Sequence, residues 1–175
     1  MKFTETPLRG AFVIDLEPHQ DERGFFARSF CAAQFAKHGL DARVVQCNVS
    51  SNAKAGTLRG MHFQQPPVSE AKLVRCVRGA IHDVVVDLRP QSATYRQHFA
   101  VELSSENRSA IFVPEQFGHG FQTLTDQTEV EYQMSEFHTP GAAGGFCYDD
   151  PAFAIHWPLP ISVISSKDLA WPPFS

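Results

Sequence analysis

The segment Arg59-Gly60-Met61-His62-Phe63-Gln64, followed by Lys72 and by the run from Gly79 to Arg89, sets an imidazole, an ammonium and guanidinium groups along apolar, strand-like chain. Charged groups in such surroundings are expensive to bury unless they are paired or at work. A second segment, Val113-Pro114-Glu115-Gln116-Phe117-Gly118-His119-Gly120-Phe121, again places a histidine among glycines and aromatic residues. Two histidine-bearing strands point to one polar pocket.

An imidazole titrates near neutrality and removes a proton well when a carboxylate holds its other nitrogen. A histidine on a strand is ordinarily a hydrogen-bonded core residue; at His62 the neighbours Arg59, Gln64 and Lys72 favour a functional reading. A metal is the competing use, because jelly-roll barrels commonly bind one through an H-x-H pair, a later acidic residue and a histidine on a second segment. Here Gln64 takes the second histidine position, and Lys72 stands near that of the acidic ligand, where an ammonium would repel a divalent cation. The expectation is a metal-free pocket in which Lys72 faces an anion. That anion is either a phosphate or the oxyanion that forms when a proton leaves a carbon beside a carbonyl. Tyr132 offers a phenol that can donate a proton, with a satisfied core tyrosine as the reading of equal weight. Lys167-Asp168 is either a solvated pair or the source of the carboxylate that orients His62.

Strands must position these residues. Ala11 to Leu16, Gly24 to Phe30, Arg43 to Ser50, Ala71 to Val77, Ile81 to Leu88, Phe99 to Leu103, Ala110 to Val113 and Thr128 to Met134 are short and rich in β-branched or aromatic residues. In the last of these, alternation puts Tyr132 with Val130 and Met134 on an inward face. The one helix expected is Ala32 to His38, ending at Gly39, which suits a left-handed cap. Many short strands with one small helix argue for a mainly β jelly-roll barrel or sandwich, an open sheet being the alternative. Thr139 to Gly145 reads as a mobile small-residue loop, and the proline-rich tail as irregular surface chain stapled by Trp157 and Trp171.

The 175 residues fit one domain spanning 1–175, and 43% hydrophobic with 19% charged residues is a globular composition. A net charge of −4 without a basic run excludes a nucleic-acid backbone as partner, so any anion must be held locally. Cys31, Cys47, Cys76 and Cys147 form no C-x-x-C pair. The N-terminus has no apolar signal region, and no run approaches the ~18 apolar residues of a membrane span. A cytoplasmic protein with reduced thiols, bound to no membrane, is the expectation.

Beyond these features, an ordered set of motifs runs nearly the whole length: Asp21-Glu22-Arg23-Gly24-Phe25-Phe26, Gln46-Cys47-Asn48-Val49-Ser50, Leu58 to Gln64, Lys72-Leu73-Val74, Gly79 to Arg89, Pro114 to Phe121, Tyr132, Asp149-Asp150-Pro151, Trp157-Pro158 and Lys167-Asp168. In this set the chain resembles the dTDP-4-dehydrorhamnose 3,5-epimerases, metal-free cupins acting on nucleotide-linked 4-keto sugars. The resemblance implies conversion of dTDP-4-dehydro-6-deoxy-D-glucose to dTDP-4-dehydro-L-rhamnose, with no cofactor. It implies His62 as the base, Asp168 as its orienting carboxylate, Lys72 as the stabiliser of the enolate and Tyr132 as the proton donor on the opposite face. Arg23, Gln46, Asn48, Arg59, His119 and Lys167 match positions that hold the diphosphate or sugar. Arg28 and Ala143 stand where well-known members carry glutamates, and His138 where they carry a tyrosine that stacks on thymine, so recognition of the base is where this chain departs. The resemblance further implies a homodimer in which the N-terminal segment, about residues 1–30, exchanges strands with the partner, so that Arg23 and Phe26 complete the neighbour's pocket. Four alternatives accompany this reading: a single-centre epimerase, an epimerase of CDP-, GDP- or UDP-linked sugars, a 3,4-ketoisomerase, and a non-catalytic sugar-nucleotide binding module.

Overall fold

Alternation of apolar and polar residues, with turn residues between the runs, produces two stacked sheets. The computed structural model describes residues 1–174. Its first strands are β1 (Lys2–Glu5), β2 (Phe12–Asp15) and the hairpin β3 (His19–Asp21) with β4 (Gly24–Phe26). Helix α1 (Ala32–Lys37) follows, then β5 (Gln46–Asn52), β6 (Thr57–Gln64), β7 (Lys72–Arg78) and β8 (Ala80–Asp87). The chain continues through β9 (His98–Ser104), β10 (Ala110–Val113), β11 (Phe117–Thr123) and β12 (Thr128–Met134). It closes with β13 (Ala143–Gly145), β14 (Val163–Ile164) and the short helix α2 (Ser166–Leu169).

One sheet has the order β1-β2-β10-β7-β12-β5 and the other β13-β6-β11-β8-β9, all antiparallel, with β14 added in parallel beside β6. This is the mainly β jelly roll expected from the strand pattern, not an open sheet, and it is cupin-like as the family resemblance implied. Val74, Cys76, Ile111 and Val130 from the first sheet meet Ile81, Val85, Leu103 and Phe121 from the second in the core between them. Both outer faces are covered as well. Phe35 of α1 packs with Phe12, Leu73 and Phe112 outside the first sheet, while Val84, Val86, Phe146 and Phe153 cluster outside the second. Burial on both faces explains why Val84-Val85-Val86 of β8 are apolar in succession rather than alternating with polar residues.

Helix α1 ends as expected, with Gly39 at φ +70°. Thr139 to Gly145, read as a mobile loop, instead forms a 3-10 turn at Pro140–Ala142 and strand β13, which pairs with β6. The reason is steric: a Cβ on Gly145 would lie 2.4 Å from the Trp171 ring, so the small residues let the tail close over this strand. Trp171 thus staples the tail as expected, and Trp157 does so by donating from Nε1 to the Tyr148 carbonyl at 3.0 Å. Sequence periodicity missed β1, the short hairpin strand β3, β13, β14 and α2, and β6 and β11 were indicated only by their histidine-bearing motifs. No helix among the described residues is long and apolar enough to cross a membrane.

Candidate active site

The inner face of the first sheet carries the residues the strand register places side by side. Tyr132 of β12 lies opposite Val74 and Asn48, and Met134 lies opposite Lys72 and Gln46. Cross-strand partners share a face, so Lys72, Tyr132 and Asn48 look toward the second sheet. In the second sheet His62 pairs directly with His119, whereas Arg59 pairs with Phe121. Gly60 and Met61 of β6 therefore stand opposite the single Gly120 of β11, a bulge at Gly60–Met61. In a regular strand Arg59 and His62 would point to opposite faces; the bulge turns both into the interior. Gly60, at φ +136°, makes this possible, since a Cβ there would stand 2.6 Å from the Gly120 backbone.

These side chains line a cavity of about 250 Å³ with Asn48, Ser50 and Phe121. A second cavity of about 200 Å³ adjoins it, bounded by Gln64, Glu70, His138, Ala143, Lys167 and Trp171; His62 and Lys72 border both.

Asp168 backs His62 from behind the cavity wall. Ser165 caps α2 by accepting from the Asp168 amide at 3.0 Å, which aims the carboxylate at β6. There Oδ1 meets His62 Nε2 at 2.6 Å, and Oδ2 accepts from the Gly60 amide at 3.4 Å. Burial works to raise the Asp168 pKa, yet the hydrogen bond and charge of His62, the Gly60 amide and Ser165 outweigh it and hold the carboxyl below its ordinary value. An ionised carboxylate thus fixes Nε2, leaving the ring's other nitrogen for a ligand. Of the two sequence readings of Lys167-Asp168, the orienting carboxylate is the one the geometry realises.

Deeper in the cavity, His119 Nε2 bonds Asp83 at 2.9 Å, both nearly or fully buried, and its ring meets Tyr132 edge-on at 6.1 Å between centroids. Burial pushes the Tyr132 phenol up, Asp83 adds to the shift and Arg59 opposes it. The phenol consequently keeps its proton at neutral pH, the form a donor requires. Arg59 reaches across to Asn52 at 2.7 Å, Gln46 donates to Asn48 at 3.1 Å, and Gln46 also accepts from the His138 amide at 3.2 Å. Lys72 is paired with Glu70 at 3.0 Å.

The cavity accordingly presents an imidazole backed by a carboxylate on one wall, and an ammonium and a protonated phenol on the other. Such a set can take a proton from carbon beside a carbonyl, hold the resulting oxyanion and return a proton from the opposite side. Among the described residues no group of three or more His, Cys, Asp or Glu is placed to hold a metal ion. Of the residues singled out from sequence, His62, Lys72, Tyr132, Asn48, Arg59 and His119 share the first cavity, with Asp168 behind His62, Gln46 beside Asn48, and His138 and Lys167 on the second cavity. Arg23, Phe26 and Arg28 stand outside both, exposed on or after the β3–β4 hairpin, where Arg23 is paired with Asp21. Sequence reasoning assigned no role to Glu70 or to Asp83. Glu70 was detectable, because it lies two residues before Lys72 at the strand's entrance; nothing local marked Asp83 as the partner of His119.

A family model described as dTDP-4-dehydrorhamnose 3,5-epimerase matches residues 5–175. The chain is 45% identical to the dTDP-4-dehydrorhamnose 3,5-epimerase of Methanothermobacter thermautotrophicus, covering 98% of this chain and 94% of that one. Among solved structures, the enzyme of the same name from Bacillus anthracis with TDP and PPi bound superposes with a TM-score of 0.95 at 38% identity, over 99% of both chains. The dTDP-6-deoxy-D-glucose-3,5-epimerase of Legionella pneumophila in complex with dTDP-4-keto-L-rhamnose gives 0.91 at 35% identity, over 98% of this chain and 92% of that one. With fold, pocket and sequence agreeing over nearly the full length, the chain belongs to the dTDP-4-dehydrorhamnose 3,5-epimerase family of isomerases.

Proposed function

We propose that this protein epimerises a nucleotide-linked 4-keto-6-deoxy sugar, converting dTDP-4-dehydro-6-deoxy-D-glucose to dTDP-4-dehydro-L-rhamnose. The observation that carries the reading is the 2.6 Å His62–Asp168 contact facing Lys72 and Tyr132 across one cavity. His62 removes the proton from carbon 5, and from carbon 3 in its turn, while the ionised Asp168 stabilises the imidazolium that forms. Lys72 holds the enolate oxygen, and Tyr132 delivers a proton from the opposite wall. General acid–base action contributes roughly 10²–10⁴-fold, and the preorganised ammonium supplies much of the remainder.

Asn48, Gln46, Arg59 and His119 hold the sugar and diphosphate in the first cavity, with His138 and Lys167 toward the nucleoside in the second. The TDP and dTDP-4-keto-L-rhamnose bound in the two similar structures support a thymidine nucleotide as ligand. Residues 1–175 act as one unit that pairs as a homodimer, in which the hairpin bearing Arg23, Phe26 and, beyond it, Arg28 reaches the neighbour's pocket. Support for this pairing lies in Phe26, 77% exposed on that hairpin. A cytoplasmic location suits the four cysteines, which all stand unpaired.

Proton NMR in D₂O with dTDP-4-keto-6-deoxyglucose tests the assignment. Deuterium entering carbons 3 and 5 with inversion at both is the expected result. Exchange and inversion at one carbon would make it a single-centre epimerase, and binding without exchange a binding module.

A further inference from the structure

Glu70 is an unexpected residue to find at this site. The two adjoining cavities are bordered by the cationic side chains of Arg59, Lys72 and Lys167, as suits an anionic ligand, and among the described residues Glu70 is the one carboxylate lining either. A negative charge there repels a diphosphate and costs desolvation, so it must do something that offsets both. Its Oε1 lies 3.0 Å from Lys72 Nζ, with the two side chains only 10% and 8% exposed.

We propose that Glu70 is a positioning residue for the proton-transfer chemistry: it fixes Lys72 as an ammonium at the seam where the two cavities meet. The inference deepens the epimerase reading and rests on it for the role of Lys72.

The surroundings leave this task to Glu70. Lys72 faces His62 and Arg59 from β6, His119 from β11, Tyr132 from β12, His138 from the loop after β12, and Lys167 from α2. None of these is an anion at neutral pH. The nearby carboxylates are already engaged: Asp168 with His62 at 2.6 Å, Asp83 with His119 at 2.9 Å, and Asp41, toward the outer side of β7, with Arg43 at 3.0 Å. A lysine buried among cations and imidazoles, without a counter-ion, loses its proton readily. Deprotonated, it could no longer stabilise an enolate by charge. Glu70 also restrains where the ammonium sits: one of its three donors is committed sideways, and the rest remain for the ligand. A full negative charge on the enolate then competes with Glu70 for Lys72 more strongly than a neutral ketone does, so the pair favours the reacting state over the bound substrate.

The test compares wild type with Glu70→Gln and Glu70→Asp, following turnover from pH 6 to pH 10 and, in parallel, the ¹³Cε resonances of the lysines, with Lys72 assigned from Lys72→Met. For Glu70→Gln the expected result is a Lys72 titration moved down by at least about one pH unit. The kcat of this variant should fall on the alkaline side in step with that titration, so that kcat at pH 10 drops at least about threefold more than at pH 6.5, while KM stays within about threefold. Glu70→Asp, which keeps the charge, should lie between the two. An unshifted Lys72 resonance in Glu70→Gln overturns the proposal, as does a loss of kcat equal at every pH. A wild type without exchange or turnover overturns the epimerase reading instead, and the lysine titration then still decides whether Glu70 sets the charge of Lys72.

Discussion

His62 shows how little covalent machinery this chemistry needs. A single imidazole, with Nε2 fixed by Asp168 at 2.6 Å, presents its other nitrogen to the cavity, and Tyr132 faces it from the other sheet with a phenol whose proton burial secures. The two residues do different things, which gives them different signatures. His62→Ala removes the proposed base and leaves Arg59 and Asn48 in place, so turnover should fall by roughly 10²–10⁴-fold while calorimetry still shows dTDP binding. Tyr132→Phe keeps the ring and loses the proton donor; deuterium exchange should persist while inversion falls. Equal loss of both in Tyr132→Phe would make Tyr132 a packing residue only.

Among the elements, β8 illustrates how a strand end is locked. Asp87 closes β8 and accepts from Arg89, Ser92 and Thr94 at 2.6–2.8 Å, which ties down the chain that leads on to β9. Burial alone would raise this carboxyl, but the three partners and the Arg89 amide bring it down to about 2. A folded-state pKa below the unfolded one contributes stability that is present above about pH 4 and is lost as pH falls toward 2. Asp87→Asn should therefore lower unfolding stability by about 2 kcal/mol at pH 7 in urea titrations, with the difference from wild type vanishing near pH 2. A constant difference across that range would show that shape, not charge, holds this turn. The bulge in β6 is the other decisive element, because it alone lets Arg59 and His62 face the same way.

For the whole molecule, the N-terminal third divides into two parts. Strands β1 and β2 are built into the chain's own six-stranded sheet, with Leu8, Ala11 and Ile14 in its packed clusters, so removing residues 1–30 would dismantle the core. What remains free to reach a neighbour is the β3–β4 hairpin, with Phe26 77% exposed and Phe25 45%. Phe26→Asp should yield a monomer by light scattering, with turnover down at least about tenfold and a melting temperature within a few degrees of wild type, since an exposed side chain contributes little to the fold itself. A dimeric, fully active Phe26→Asp protein would sink the view that this hairpin completes a partner's pocket.

Local patterning determined a good deal of this protein. Alternation located eight of the strands and Gly39 marked the end of α1, because these signals lie in neighbouring residues. The ordered motifs likewise carried the family. Tertiary structure decided the rest. That Asp168 reaches His62 across 106 positions, that Asp83 serves His119, and that Glu70 pairs with Lys72 are consequences of strand register and of one bulge. Periodicity fixes which residues share a face within a strand, but only the pairing of distant strands sets which charges meet, and a charge pair in a buried site is made or lost over about an ångström.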